Sequence, residues 1–337
     1  MIKSIHVKNF KTLREVEIPL DPKITVMVGA NNSGKSNALQ MLKLIGEMER
    51  RRGREVNVFE VAGGITRGSK EKVHIHVSMV SSGDPAVSAG FTLFSGRESG
   101  LGMDAQFKAD PEKLQQSHLL KPALANIFVF DFSVTSLRAP SLVQRGVRIA
   151  LDGKNAAAAL DAIAGEKPAL RDTIEEEVRR AASDVKRLLT QPGGEPGTKI
   201  LAVEESDGAV YGANEMSDGL VLFIGLSIAA QTYSQGPGLI AIEQPERNIH
   251  PRRMREFLDQ CLRVTERGTQ IVLTTHSPTL LDEFRDYPES VLIFDRDENG
   301  THVTRLSDKP DWMQDFKGQP LGDIWYSGVL GGVPKRP

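Results

Sequence analysis

The sequence predicts an α/β fold on a mixed sheet, with a β-rich N-terminal lobe and an inserted helical lid. Three observations predict it. Residues 29–36, GANNSGKS, satisfy the pattern G-x-x-x-x-G-K-[ST] in full. An apolar run at 24–28 precedes this segment and an apolar-periodic run from Ala38 to Ile45 follows it, giving the strand–turn–helix order that such a loop requires. The final third alternates strand-like and helix-like segments, as α/β domains do.

Along the chain, IKSIHVKNF alternates apolar and polar residues like a strand, and residues 16–20 read as a second strand. The helix after GANNSGKS ends in an abrupt change of charge at Arg50-Arg51-Arg52-Gly53-Arg54. A Gly-rich loop (Gly63, Gly64, Gly68) and a strand at 73–77 follow, with His74 and His76 on one face. Two such histidines could hold a metal, but with no third ligand nearby they read as a solvent-facing pair. Residues 80–120 carry little pattern, and 126–132 read as a strand. Helices are predicted at 155–164 and 169–189, the second opened by Pro168 and closed by Gln191-Pro192-Gly193-Gly194. In that second helix the acids come early and the bases, Lys186 and Arg187 among them, come late, which complements a helix dipole. A hairpin across Ser206-Asp207-Gly208 leads to a helix at 219–233, a strand at 239–242, a helix at 251–265 and a strand at 270–275. The expected organisation is one domain over 1–337, with a β lobe carrying the Gly-rich loop at 1–80, an inserted β/helical lid at 81–200 and a closing lobe at 201–337.

Composition narrows the class. Apolar content of 39% and charged content of 26% fit an ordinary globular chain, and a net charge of −2 supplies no global field for nucleic acid. Arg50, Arg51, Arg52, Arg54, Arg67, Lys70 and Lys72 leave a local nucleic-acid contact open, although a charge run is ordinarily a solvated face. The single cysteine, Cys261, excludes a disulfide framework and reads as a buried thiol among apolar neighbours. No apolar stretch reaches bilayer length and no signal core opens the chain, so it reads as cytoplasmic, without a membrane partner.

The chemistry begins at the Gly-rich loop. Backbone N–H groups of the turn and the helix start, from Gly29 through Asn31, Asn32, Ser33 and Gly34 to Asn37, would surround an anion. Lys35 would reach the β- and γ-phosphates of a nucleoside triphosphate, and the Ser36 hydroxyl would take one position on Mg²⁺. Three later segments narrow the class. Glu215-Met216-Ser217-Asp218-Gly219 opens a strongly apolar helix, the strand LIAIE ends at Glu243 before Gln244-Pro245-Glu246, and another strand ends in Thr274-Thr275-His276-Ser277-Pro278.

With these four motifs in order the chain resembles the ABC-type ATPases. The likeness is greatest to the SMC/RecF-like branch that includes the OLD-family ATPases and the "AAA family" ATPases of bacterial antiphage defence operons. The opening I-x-x-I-x-V-x-N-F-K-T-L and Asp152-Gly153-Lys154-Asn155-Ala156-Ala157 are also similar to that branch. The resemblance implies an ABC-ATPase head that binds ATP and Mg²⁺, with Ser36 and Glu243 at the metal and His276 as the switch histidine. It also implies that Ser217, Asp218 and Gly219 contact the ATP held by a partner subunit, giving a head-to-tail homodimer with two composite sites; higher oligomers stay open. An ordinary N-capped helix explains Ser217 and Asp218 equally well. Relatives usually place Asp then Glu where this chain has Glu243-Gln244. A glutamine can orient a water but cannot accept its proton, so turnover is expected to be slow, with Glu246 the alternative base. Only a short tail follows His276, so the Toprim domain of OLD nucleases is not expected. The implied function is an ATP-driven switch or sensor that controls a separate effector, a nuclease or toxin, in antiphage defence. The alternative is a RecF-like DNA-binding repair or recombination ATPase; a transporter subunit ranks third.

Overall fold

Every residue of ITVMVG is buried, and so is every residue of TQIVLTT, because both segments lie inside one parallel sheet. The computed structural model describes residues 1–51, 73–79, 87–95, 101–106, 117–234, 236–247, 249–309, 316 and 318–334. The chain divides into two units. Residues 1–129, 236–244 and 268–337 form the first, and residues 130–235 and 245–267 form the second.

In chain order the elements begin with β1 (Ile2–Phe10), β2 (Leu13–Pro19), β3 (Ile24–Gly29) and α1 (Lys35–Arg50). Next come β4 (Val73–Met79), β5 (Val87–Ser95), β6 (Leu101–Gln106), α2 (Ser117–Ala125), β7 (Ile127–Phe130) and α3 (Val134–Arg138). The middle of the chain holds β8 (Ser141–Leu142), α4 (Ala156–Glu166), α5 (Pro168–Ala181), β9 (Val185–Pro192), β10 (Thr198–Glu205) and β11 (Val210–Gly212). The last third holds α6 (Asp218–Tyr233), β12 (Gly238–Glu243), α7 (Met254–Thr265), β13 (Thr269–Thr275), α8 (Pro278–Asp282), β14 (Val291–Asp297), β15 (Gly300–Arg305) and α9 (Leu321–Tyr326).

The first unit carries two sheets. One has the order β2-β1-β4-β5-β6 and the other β15-β14-β3-β13-β12-β7. In the second sheet β14, β3, β13 and β12 run parallel, with β15 antiparallel at an edge. Helix α1 sits in the core they share: Ala38, Leu39, Leu42 and Ile45 cluster with Ile5, Val7 and Phe10 of β1 and with Leu239 and Val272. Each of the larger of these side chains, from Val to Phe, is worth roughly 1.5–3 kcal/mol against exposure. On β4, Ile75 and Val77 are buried while His74 and His76 are exposed, the solvent-facing pair expected. The unpatterned stretch 80–120 contains β5, β6 and the start of α2.

In the second unit β9 and β11 flank β10, which also pairs with β8. Helix α6 is buried on nearly every face, as its apolar composition requires. Here the expected helix at 169–189 is corrected. It ends at Ala181, and residues 185–192 form β9, in register with β10 from Leu188 opposite Val203 to Pro192 opposite Lys199. Buried Val185 and Leu188, three apart, imitate a helix face, but β10 supplies a full set of backbone partners and the strand prevails. Lys186 pairs with Glu204 at 2.7 Å on the neighbouring strand and closes no helix end. Among the described residues no helix is long and apolar enough to cross a membrane.

Candidate nucleotide-binding site

The parallel strands of the first unit end along one edge. Register sets Glu243 opposite Thr274, Thr275 opposite Val28, and Phe294 opposite Gly29. Open α/β sheets bind ligands at such an edge, beyond the strands' carboxyl ends. Residues 29–36 leave β3 there and turn into α1.

Two glycines make this turn possible. A Cβ on Gly29 would stand 2.3 Å from the Phe294 carbonyl oxygen, and Gly34 has φ of 112°, a left-handed conformation that other residues rarely adopt. Asn32 is also left-handed, with φ of 65°, and like Asn31 is exposed. Lys35 is only 4% exposed. Its ammonium donates to the carbonyls of Gly29 at 2.7 Å and Ala30 at 2.9 Å, and to Ser33 Oγ at 3.4 Å, which offsets the desolvation of the charge. These acceptors hold the cation at the mouth of the loop.

Ser36 stays exposed, and its hydroxyl donates to Glu243 Oε1 at 2.6 Å. A hydroxyl and a carboxylate at that separation are hard oxygen donors suited to Mg²⁺, which keeps waters and phosphate oxygens as its remaining ligands. Among the described residues no cluster of three His, Cys, Asp or Glu could hold a metal unaided. Ser36 Oγ and Glu243 Oε1 are a donor pair that fits magnesium.

Gln244 follows with φ of 46°, and its N–H donates to the Thr274 carbonyl at 3.1 Å and to Thr274 Oγ1 at 3.2 Å. This left-handed step re-aims the chain directly after the carboxylate. His276 leaves β13 on the adjacent strand and is half-buried, with Ser277 capping α8 through Leu280 N–H.

The first unit thus brings together Gly29, Asn31, Asn32, Ser33, Gly34, Lys35, Ser36, Asn37, Glu243, Gln244 and His276. Glu246, in a single 3-10 turn over Pro245–Arg247, belongs to the second unit, as do Ser217, Asp218 and Gly219. In that unit Ser217 caps α6, its Oγ accepting from Leu220 N–H at 3.3 Å. A cavity of about 610 Å³ opens beside this helix start, lined by Tyr211, Glu215, Ser217, Asp218, Gly219 and His250 among others.

Several supports escape the sequence motifs. Thr301 of β15 donates its single hydroxyl proton to the Ser33 carbonyl at 2.9 Å and can then accept from the Thr12 hydroxyl, 2.9 Å away, while Asn37 Nδ2 donates to that Thr12 hydroxyl at 2.7 Å. Lys11, left-handed at φ of 53°, bonds Gln40 of α1, and burial lowers its ammonium pKa. Arg296 reaches the Asn32 carbonyl at 3.4 Å. The N-F-K-T opening was a signal for Thr12 and Lys11, whereas nothing in the spacing points to Thr301 or Arg296.

Two of the basic residues suggested for nucleic acid are committed within the first unit. Arg50 Nη1 donates to the carbonyls of Ala125 and Ile127, both at 2.7 Å, and its guanidinium lies 4.6 Å from the Phe128 ring centroid. Arg51 pairs with Glu47 at 2.9 Å. Arg52, Arg54, Arg67, Lys70 and Lys72 lie outside the described residues, as does the loop with Gly63, Gly64 and Gly68. Cys261 is buried, which pushes its thiol pKa up and leaves it unreactive.

Comparison with known proteins gives a consistent picture. The family model described as "AAA domain, putative AbiEii toxin, Type IV TA system" matches residues 104–282, more than half of the chain, and that described as "AAA ATPase domain" matches residues 1–79. An OLD nuclease of Thermus scotoductus (strain ATCC 700910 / SA-01) is 24% identical over 350 residues, covering 88% of this chain and 63% of the nuclease. The chain therefore spans less than two thirds of that relative's length. Among solved structures, an SMC head bound to the C-winged helix domain of ScpA aligns over 90% of this chain and 96% of its own, with a TM-score of 0.59 and 14% identity. The Pyrococcus furiosus Smc head aligns with a TM-score of 0.58 and 12% identity, covering 90% of this chain and 95% of the other. The Thermotoga maritima SMC head does so at 0.52 and 13%, covering 90% and 98%. At these identities the structural likeness shows a shared fold.

Proposed function

This chain belongs to the family described as "AAA domain, putative AbiEii toxin, Type IV TA system", and from that premise we propose that it is a slow, Mg²⁺-dependent ATPase working as a dimeric switch. The observation that carries the proposal is the contact of Ser36 with Glu243, with the Lys35 ammonium held at the mouth of the same loop. Lys35 exchanges its loop carbonyls for the β- and γ-phosphates, and the backbone N–H groups of 31–36 orient them. Ser36 and Glu243 would hold a magnesium, which when bound would supply charge neutralisation for phosphoryl transfer. Gln244 orients the attacking water without removing its proton, so turnover is slow; Glu246 is the candidate base, and His276 reads the γ-phosphate.

The second half of each site comes from another copy. Ser217, Asp218 and Gly219 begin a buried 16-residue helix whose N-terminus suits a phosphate, and two chains related by a twofold axis would each complete the other's site. ATP closes the dimer and hydrolysis opens it. In the cytoplasm, the closed state governs a separate effector, a nuclease or toxin, in antiphage defence. The names of the relatives, an OLD nuclease and a putative type IV toxin–antitoxin component, support that setting. An SMC head solved with the winged-helix domain of ScpA supports partner engagement by this fold.

Sedimentation with ATP and Mg²⁺, with ADP, and with the Lys35→Ala chain tests the switch. The expected result is dimer with ATP alone and none for Lys35→Ala. A monomer under all three conditions would sink the composite site. DNA-stimulated turnover that falls steeply with salt would instead support a RecF-like clamp.

A further inference from the structure

We propose that Arg138 is a positioning residue that sets the Ser217 turn for contact with the partner's nucleotide. This role rests on the composite site proposed above.

Arg138 ends α3, and its guanidinium is spread over the turn that leads into α6. Nε donates to the Ala213 carbonyl at 2.8 Å, and Nη2 donates to the Met216 carbonyl at 2.7 Å. The same Nη2 pairs with Asp218 Oδ1 at 2.8 Å. Two of these acceptors stand immediately before and after Ser217, so one nitrogen spans the residue without touching its hydroxyl. The Ser217 Oγ remains the cap of Leu220 N–H, and Ser217 itself is exposed. Helix α3 is fixed to α6 at a second place. Leu137 is fully buried, and a Cβ on Gly225, two turns into α6, would stand 2.6 Å from its Cδ2. One short helix therefore sets both the depth of α6, through Leu137, and the shape of its first turn, through Arg138.

Two carbonyls and Asp218 balance the guanidinium in the isolated chain, and the charge it brings to a helix start invites a further role. A helix N-terminus carries partial positive charge, so a guanidinium there is repelled unless an anion offsets it. Asp218 is that anion in the isolated chain. A neutral donor could tie the two carbonyls without the repulsion. A fork that holds the backbone on both sides of Ser217 and adds positive charge suits a turn that must meet a polyphosphate.

The test compares Arg138→Ala, Arg138→Lys and Ser217→Arg in the full chain, each by ATP-driven self-association, nucleotide affinity of the monomer and thermal melting. For Arg138→Ala the dissociation constant of the ATP-driven dimer should rise about tenfold to a hundredfold, with monomer nucleotide affinity within about twofold of the parent. Arg138→Lys keeps the charge but cannot span Ser217, and it should show most of the same loss with a near-parental melt. Mixing Arg138→Ala with Lys35→Ala should restore turnover, because one site of the mixed dimer joins an intact P-loop to an intact Ser217 turn. Parental association of Arg138→Lys, with Ser217→Arg defective, overturns the role of Arg138 and leaves the composite site standing. Parental association of Ser217→Arg overturns the composite site itself. If Arg138→Ala does not fold, the lysine variant decides.

Discussion

The Ser36 hydroxyl donates to Glu243 Oε1 at 2.6 Å, although 207 positions of sequence separate the two residues. One belongs to the loop that would hold phosphate and the other to the end of β12, so a single hydrogen bond joins both halves of the proposed magnesium site. Glu243→Gln keeps the shape but replaces an anionic oxygen with a neutral amide. Turnover should fall at least about a hundredfold while ATP still binds. EDTA should abolish the turnover of the parent chain. Turnover by Glu243→Gln within a few-fold of the parent would remove Glu243 from the metal.

Gln244→Glu restores a carboxylate at the position after β12, and turnover should rise about tenfold if a base there is limiting. An unchanged rate moves the base to Glu246. The backbone gives an independent check: at φ of 46°, a β-branched side chain is strained, so Gln244→Val should destabilise by about 1–3 kcal/mol whereas Gln244→Asn stays near the parent. Equal melting of the two variants would count against a left-handed Gln244.

Thr301→Val removes one hydroxyl and leaves the Ser33 carbonyl and Thr12 hydroxyl short of a partner. The expected cost is about 1–3 kcal/mol by urea denaturation, with weaker ATP binding because the loop loses its support. A variant that melts earlier yet binds ATP like the parent would separate the buttress from the site.

Arg50→Ala strips the Ala125 and Ile127 carbonyls of their charged donor and should cost about 2–4 kcal/mol. Nucleic-acid retention should not change, because Arg50 is committed inside the first unit. Loss of DNA binding without loss of stability would reverse that assignment.

Sequence pattern captured what is local. The Gly-rich loop, the strand before it and the helix after it lie within a few turns of one another, and the apolar runs of β12 and β13 are long enough to announce burial. Thr301 and Arg138 were invisible because each acts through bonds to backbone carbonyls far away in the chain, and such bonds leave no periodicity. The false helix over 182–189 arose from Val185 and Leu188, whose three-residue spacing suits a helix until β10 is known to lie alongside. Ser217 is the instructive intermediate case. Its capping bond was predictable and is present, but the same bond would form whether or not a phosphate ever approaches.

Strand β3 pairs with Thr269–Thr275 on one side and Val291–Asp297 on the other, and both strands follow it far along the chain. A nascent chain therefore carries ITVMVG with two bare edges until those strands emerge, and the proposed nucleotide loop lacks its support until then. Fragments ending before Thr269 should associate through that apolar strand. Nucleotide binding would then act as a check that all three strands are in place, because the loop after β3 is supported only once β13 and β14 lie beside it.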